Sequence, residues 1–218
     1  KAPVLPATTL AKNCYYEMFS GCTSLTKAPA LPATTLASEC YRDMFQGCTS
    51  LEKAPALPAT TLSYKCYSEI FKDCTSLTKA PVLPATTLVL DCYEYMFQGC
   101  TSLTKSPELP AATLDQFCYL YMFYGCSSLN EVHCKISSSY SSSEMSTLYS
   151  GSWLSGVSPT GTFYTNAGAK WPSGVSGIPE GWRRVNEVAK DDIAKPLTFR
   201  ATQDGSTVKL TKSGSPTG

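Results

Sequence analysis

The 218-residue sequence is poor in the residues that drive most catalysis and charge-based binding. It has one histidine, His133, only 16% charged residues and a formal net charge of +1, which argues against nucleic-acid binding. No apolar run approaches the roughly 20 residues that span a bilayer, so we expect no membrane insertion. The sequence starts at Lys1 with neither methionine nor signal peptide. We therefore expect a soluble piece of a larger protein.

Catalytic motifs are also missing. The strings GxSxG, HExxH, GxGxxG and the P-loop do not occur, so a Ser-His-Asp or Cys-His site would have to be built around His133. Cys134 follows directly, but adjacent residues of a strand point to opposite faces, which keeps the thiol away from the imidazole. The sequence thus predicts a non-enzymatic protein without a cofactor.

What the sequence does have is a repeat. The stretch NCYYEMFSGCTSL returns as ECYRDMFQGCTSL, KCYSEIFKDCTSL, DCYEYMFQGCTSL and FCYLYMFYGCSSL, each time 26 residues further on. Five copies run through residues 1–130 without an insertion. A fixed period of this length indicates a solenoid, in which each unit buries its apolar face against its neighbours.

The spacing inside each copy favours a helix. Cys14, Met18 and Cys22 recur every four residues and hardly change between copies, while the positions between them vary. One constant and one variable face are typical of a helix with a 3.6-residue period. Because threonines can cap its start and Gly21 can end it in a left-handed conformation, we predict a helix from about residue 9 to 20.

A short parallel strand is predicted after each helix. In CTSLTKAP, Leu25 and Ala28 can point inward while Thr26 and Lys27 point outward. Pro29 has no amide hydrogen to donate, so the strand should end there. A strand, a proline-rich turn and an outer helix in every copy predict an α/β repeat solenoid, a leucine-rich-repeat-like horseshoe with short parallel strands inside and helices outside.

The unit CYxxMFxGCTSLTKAPxLPATTL resembles the BspA-like leucine-rich repeats, a family of bacterial surface proteins that also occurs in phage-borne proteins. The resemblance runs from Lys1 to about Val185, because WLSGVSPTGTFYTNAGAKWPSGVSGIPEGW is similar to the ending that follows such arrays. It implies a cell-surface or secreted module for adhesion or protein binding. This sequence departs from the generic repeat in its length and its many prolines.

Past Asn130 the repeat loses its phase, and we predict three further parts. Residues 131–186 form a cap that opens with the strand EVHCKI, contains a serine-rich stretch that could hold a short helix, and buries its large aromatic residues. Residues 187–196 form a charged linker. Residues 197–218 alternate apolar and polar residues around Asp204-Gly205, a hairpin signal, and form the truncated start of a β-sandwich-like module. The aromatic residues expected in the cap core are Trp153, Phe163, Trp171 and Trp182.

Eleven cysteines raise the questions of metal and disulfides. Zinc sites favour closely spaced cysteines with histidine partners, whereas each copy has C-x7-C, so we predict no metal. Two cysteines eight residues apart on a helix lie about 12 Å apart, too far for a disulfide. Disulfides between neighbouring copies are an alternative, because equivalent atoms of adjacent copies would lie about 4.8 Å apart. We favour buried free thiols, because each column holds an odd number of cysteines.

Two columns of charged residues recur across the copies. Glu17, Asp43 and Glu69 stack at a spacing near the roughly 5 Å of a retaining glycosidase pair. Without a pocket to shift a pKa, we expect them to be a solvated outer surface. The second column is lysine, and its candidate binding residues are Lys27, Lys53, Lys79 and Lys105 with the flanking Thr26, Glu52, Thr78 and Thr104.

The lysine column suggests an anionic partner, either an extracellular protein or an anionic glycan. Its plain alternative is that the lysines are solvated and block edge association. Three functions follow from the sequence: a cell-surface or secreted binding module, bacterial or phage-borne; a structural spacer in a surface or phage-appendage protein; and an enzyme, for which no site is found. Should the lysines not bind, the contact is expected on the variable helix face at Tyr16, Arg42, Ser68, Glu94 and Leu120.

Overall fold

The computed structural model describes residues 2–136, 152–174, 177–187, 199–204 and 207–212. The chain divides into two compact units, Lys1–Glu187 and Val188–Gly218. The first holds the repeats and a four-stranded parallel sheet, and the second holds a two-stranded antiparallel sheet.

Each copy contains a ribbon of successive turns where a helix was predicted. The prediction of a helix over residues 9 to 20 was wrong, since no α-helix occurs in the part of the chain that the structure describes. We call these segments the turn ribbons. They cover residues 12–21, 38–47, 64–73, 90–99 and 116–125.

Hydrogen bonding alternates along each ribbon. The amide of Tyr16 donates to the carbonyl of Asn13, three residues back in the same copy, at 3.2 Å. The next amide, that of Glu17, donates to the carbonyl of Arg42 in the following copy, at 3.0 Å. A helix would satisfy every amide within its own segment. In a turn ribbon every second amide instead ties one copy to the next.

Left-handed residues are what separate the ribbon from a helix. In the first copy Asn13, Glu17 and Gly21 have φ values of 58°, 53° and 69°, and the equivalent residues of the other four copies are left-handed as well. One left-handed residue in four interrupts any right-handed helix. The signal in the sequence is a strict four-residue period with glycine, asparagine or aspartate at several of these positions, the residues that tolerate this conformation best.

Two aromatic ladders form the centre of the solenoid. Consecutive rings lie 5.6 to 6.1 Å apart between centroids and are tilted by no more than 14°. Burying a side chain of this size contributes roughly 1.5–3 kcal/mol. The ladders are Tyr15, Tyr41, Tyr67, Tyr93, Tyr119 and Phe19, Phe45, Phe71, Phe97, Phe123.

The cysteines are core residues with free thiols. All eleven are free, and nine are buried, while Cys14 is half-buried and Cys22 is exposed on the first copy. The Cys48 thiol donates to the carbonyl oxygen of Phe19 in the preceding copy at 3.1 Å, and Cys74, Cys100 and Cys126 repeat this contact. Burial raises the pKa of Cys48 to about 11. From the second copy onward, the second cysteine column is therefore hydrogen-bonded core.

Regular strands appear only late in the array. Strand β1, Lys105–Leu109, pairs in parallel with β2, Glu131–Cys134. Strand β2 pairs in parallel with β3, Gly161–Asn166, and β3 pairs with β4, Trp182–Glu187. Among the earlier copies, the lysine column shows a single parallel bridge, between Lys53 and Lys79. The inward and outward pattern is nevertheless as predicted, with the leucines and alanines inside and the lysines exposed.

Strand β1 passes through a proline, although the sequence predicted an end there. Pro107 has no amide to donate, and the β1–β2 register shifts between Lys105 and Glu108. The Ser106 hydroxyl accepts the amide of His133 at 3.0 Å, so a side chain supplies the acceptor at this irregularity. The other copies have alanine at the position of Ser106 and lack this device.

The cap buries its large aromatic residues, as predicted. Trp153 is fully buried, stacks on Trp171 at 5.7 Å and donates its indole N–H to the carbonyl of Gly177 at 3.1 Å. Phe163 and Trp182 are buried as well. The serine-rich stretch that could hold a short helix lies, over residues 137–151, outside the described residues.

The cap contains a sixth ribbon, of which the structure describes residues 152–156. The amides of Phe123 and Gly125 donate to the carbonyls of Trp153 and Ser155 at 3.0 and 2.8 Å, in the same way as between the five regular copies. The loss of phase after residue 130 therefore does not end the stacking. The step in sequence from the fifth ribbon to the sixth is longer than the 26 residues between regular copies.

The second unit contains a hairpin. Strand β5, Phe199–Asp204, pairs antiparallel with β6, Thr207–Lys212, and Asp204 faces Thr207 across the turn. The predicted hairpin is confirmed, while the β-sandwich-like module remains a prediction. Apart from residue 187, the predicted linker over 187–196 lies outside the described residues.

We predict that Asp73→Gly stabilises the protein. Asp73 has a φ of 57° at the ribbon position where the other four copies have glycine. Since a left-handed side-chain-bearing residue costs about 1–2 kcal/mol, the free energy of unfolding should rise by about 1 kcal/mol in urea titrations. Gly47→Ala is the matched control and should lower it by a similar amount, because a Cβ there meets only ordinary contacts and the cost is conformational. No gain at Asp73 would contradict the ribbon geometry.

A second prediction concerns the thiols. Under native, non-reducing conditions a small alkylating reagent should modify Cys22 fastest and Cys14 more slowly, while the nine buried thiols react only on unfolding. Peptide mass spectrometry of the modified chain measures the order. Rapid modification of Cys66 or Cys100 in the folded protein would show that the stacked core is open.

Candidate binding surface

The four candidate lysines lie exposed on successive copies. Lys53 and Lys79 are paired by a parallel bridge, which sets neighbouring backbones at about 4.8 Å. The flanking residues are exposed too, and the hydroxyl of Thr78 donates to the carbonyl of Glu52 at 3.3 Å. The structure thus places the eight sequence-predicted residues on the surface, at equivalent positions of successive copies.

One lysine differs from the other three. The Lys105 Nζ lies 2.6 Å from the Glu131 carboxylate, which also accepts His133 Nε2 at 2.6 Å. The hydrogen bond with Glu131 raises the pKa of Lys105, and the bonds from Lys105 and then His133 lower the pKa of Glu131. Among the described residues, Lys27, Lys53 and Lys79 form no ion pair. Lys27, Lys53 and Lys79 therefore carry the positive charge that a partner can reach.

Apolar recesses lie between consecutive copies beside the lysine column. One of about 470 Å³ is lined by Pro3, Val4, Leu25 and Lys27 among others. Another of about 520 Å³ is lined mainly by prolines and by Val82, a residue that is 78% exposed. A partner that reaches the lysines would also meet these apolar walls.

His133 and Cys134 do not form a nucleophile pair. Cys134 is fully buried, as predicted, while His133 lies on the other face, stacked on Tyr164 with ring centroids 4.3 Å apart. Across the described ranges no group of three or more histidine, cysteine or carboxylate side chains has an arrangement that could hold a metal. The described residues also include no helix long and apolar enough to cross a bilayer.

The carboxylate column is not the solvated surface that the sequence predicted. Asp43 is buried, with 5% of its surface exposed, and its Oδ2 lies 3.3 Å from Arg42 Nε. Burial, with the neighbouring Glu69 carboxylate next in importance, raises the pKa of Asp43 to about 6. Because ribbons stack more closely than helices, the second outward position of each turn is partly covered by the next copy. Glu17, on the first copy, is exposed.

Ion pairs link the ribbons on this face. Lys12 contacts Glu39 at 3.6 Å, and Lys65 contacts Asp91 at 3.7 Å and Glu94 at 2.9 Å, each across two neighbouring ribbons. Ser68 and Glu94, predicted to lie on the free face, are buried, and the Ser68 hydroxyl donates to Glu94 at 3.3 Å. The ribbon face is therefore mainly a salt-linked part of the scaffold. A period-3.6 helical wheel could not show this, because it places these positions in solvent.

A comparison of the sequence with known protein families agrees with this repeat architecture. The model of the BspA type leucine rich repeat region matches in six copies, over residues 8–130 and 41–158. The match extends past residue 130, where the structure shows the sixth ribbon. None of the curated proteins and none of the solved structures compared with the chain matches it.

We predict that Asp43→Asn stabilises the protein at neutral pH. A carboxyl whose pKa rises to about 6 in the folded state favours folding below its unfolded pKa of 3.8 and loses that contribution as the pH rises through 6. Asparagine tolerates the left-handed backbone and removes the buried charge. The melting temperature of the variant should exceed that of the parent at pH 7, and the gap should shrink towards pH 4.

Asp73→Asn serves as the matched control, because it makes the same change at an exposed left-handed position. Melting curves of the parent and both variants between about pH 4 and 8 decide the matter. If the difference between Asp43→Asn and the parent does not change with pH, Asp43 is not the buried carboxyl described above.

Proposed function

Because the chain belongs to the BspA-type leucine-rich repeat family, we propose that it is a non-enzymatic binding module of a bacterial cell-surface or secreted protein. Its lysine column contacts an anionic partner, an extracellular protein or an anionic glycan. The observation that carries this proposal is the set of three exposed lysines, Lys27, Lys53 and Lys79, aligned on successive copies without ion pairs among the described residues.

Packing does not explain the lysines. Like charges about 5 Å apart repel each other by about 1 kcal/mol in water before screening. The neighbouring outward position changes freely from Thr26 to Glu52 between copies, whereas lysine is kept in all five. An anionic ligand that bridges adjacent copies would turn this repulsion into attraction.

Charge and shape together favour a multivalent contact. Each lysine by itself gives a weak, solvent-screened interaction, but anionic groups spaced along one chain engage several copies at once, which raises the overall affinity. The proline-lined recesses beside the column give apolar groups of the partner a place to dock. A net charge of +1 supports recognition by this local column instead of by bulk charge.

No arrangement among the described residues supports catalysis. His133 is held by Glu131 and Tyr164, and the thiols of the core are buried with raised pKa values, as in Cys126, whose pKa burial raises to about 12. A reactive thiol needs the opposite environment.

The test compares two sets of lysine substitutions. The triple variant Lys27→Gln, Lys53→Gln, Lys79→Gln should lose at least tenfold in affinity for immobilised poly-L-glutamate or polygalacturonate, measured by biolayer interferometry. Parental binding should weaken as salt rises from about 0.05 to 0.5 M, since the Debye length shortens. Lys105→Gln is the matched control and should have little effect, because Glu131 already neutralises that lysine.

A gain-of-function variant sharpens the test. Glu131→Gln frees Lys105 and should strengthen polyanion binding by extending the column to four available charges. Equal binding by the parent and the triple variant, or binding insensitive to salt, would show that the lysines are only solvated surface residues.

A further inference from the structure

We propose that protonation of His133 strengthens the binding of an anionic partner at the end of the lysine column, so that binding tightens as the pH falls. This inference rests on the proposed function, because it assigns a regulator to the same surface. The regulator is the Glu131 carboxylate together with the two side chains whose hydrogen bonds it accepts, Lys105 and His133. We call these three residues the shared-carboxylate cluster.

The outward-facing column continues past Lys105 into the cap. Lys105 lies opposite Glu131 in the parallel sheet, and Glu131 lies opposite Thr162. The register then places Arg183 opposite Thr162. Arg183 is exposed and forms no ion pair with any residue that the structure describes. The shared-carboxylate cluster therefore lies between two stretches of uncompensated positive charge, the lysines of the earlier copies on one side and Arg183 on the other.

One carboxylate oxygen serves both donors of the cluster. The Oε1 atom of Glu131 lies 2.6 Å from Nζ of Lys105 and 2.6 Å from Nε2 of His133. The His133 ring is fixed in this position because it stacks on Tyr164, with ring centroids 4.3 Å apart and planes 9° from parallel. Only 12% of the His133 side chain is exposed, so the ring cannot turn into solvent without losing this stack. A proton that binds to the ring therefore stays beside Glu131.

Protonation changes the net charge of the cluster. While the His133 ring is neutral, the positive charge of Lys105 and the negative charge of Glu131 cancel. The hydrogen bonds from Lys105 and then His133 lower the pKa of Glu131, so its carboxylate stays ionised at weakly acidic pH. Histidine is the side chain whose charge ordinarily changes between about pH 5 and 8. With the ring protonated, the cluster carries one net positive charge, and the positive column runs without interruption to Arg183.

The other charged and titratable groups around the ring do not change this balance. From β1, Glu108 lies opposite His133 in the register, but its carboxylate pairs with Nζ of Lys135, which follows β2, at 2.9 Å. These two charges cancel each other. From β3, Tyr164 contributes the stacked aromatic ring. The proton on the His133 ring is therefore the charge that changes on this surface in weakly acidic solution.

The experiment measures affinity for immobilised dextran sulfate, whose sulfate groups keep their charge across this pH range, by biolayer interferometry at about pH 5.5 and 8. The parent should bind about threefold more tightly at the lower pH, because one added unit charge beside an anionic group has an effect of this order in water at moderate salt. His133→Gln keeps a hydrogen-bonding side chain but cannot gain a proton, so its affinity should be the same at both pH values. Lys79→Gln is the matched control and should lower the affinity at both pH values while keeping their ratio.

A further control separates the cluster from the buried carboxyl of the ribbon face. Burial raises the pKa of Asp43 to about 6, so this group also gains a proton in the same range. Asp43→Asn removes that titration and leaves the cluster intact. Its ratio of affinities at the two pH values should equal that of the parent.

A second measurement follows the cluster without any ligand and needs only the parent chain. His133 is the one histidine of the sequence, so its ring carbons give unambiguous signals in an NMR titration of the ¹³C-labelled protein. The side-chain carboxyl carbon of Glu131 should shift with the same midpoint as those ring carbons, because the two groups share a hydrogen bond. A Glu131 signal that does not follow the ring would overturn the inference, even if His133→Gln folds poorly.

The binding results separate this inference from the proposed function. Parental affinity that is equal at both pH values, or a pH ratio that persists in His133→Gln, would overturn the regulation by His133 and leave the lysine column as a binding surface. Absence of parental binding at both pH values would instead overturn the proposed function and the regulation together.

Discussion

The peptide groups that join neighbouring turn ribbons determine the rest of the repeat structure. In each ribbon, every second peptide group points along the stacking direction. The carbonyl of that peptide accepts a hydrogen bond from the copy before, and its amide donates one to the copy after. Such a peptide can form only if the chain reverses its handedness at regular intervals. The left-handed residues at Asn13, Glu17 and Gly21, and at their equivalents, meet that requirement.

The left-handed residues destabilise each copy by itself, and contacts between neighbouring copies offset that cost. A left-handed residue with a side chain costs about 1–2 kcal/mol, and each of the five ribbons carries two or three. In return each of the first four ribbons gains four or five hydrogen bonds to the next ribbon, two stacked aromatic rings and a buried thiol. An isolated copy would bear the strain without those contacts, which explains why the 26-residue step holds from one regular copy to the next.

Much of this could be predicted from the sequence. The 26-residue period predicts the solenoid, the constant cysteines predict buried thiols, and the aromatic residues after residue 150 predict a cap. The ribbon could not be distinguished from a helix, because periods of 3.6 and 4.0 residues diverge little over ten residues and Gly21 suits the end of a helix as well as a turn. The burial of Asp43 was missed for the same reason, because a helix would have placed its carboxylate in solvent. The pairing of Lys105 was missed because Glu131 lies where the repeat loses phase.

The most direct test of the ribbon is to detect its hydrogen bonds across the copies. Scalar couplings through hydrogen bonds, measured by NMR on the isotope-labelled chain, connect an amide nitrogen to the carbonyl carbon that accepts it. The structure predicts a coupling from the Asp43 amide to the Ser68 carbonyl and from the Phe45 amide to the Ile70 carbonyl. A helix would instead couple Asp43 to Glu39, four residues back in its own copy. That result would contradict the ribbon.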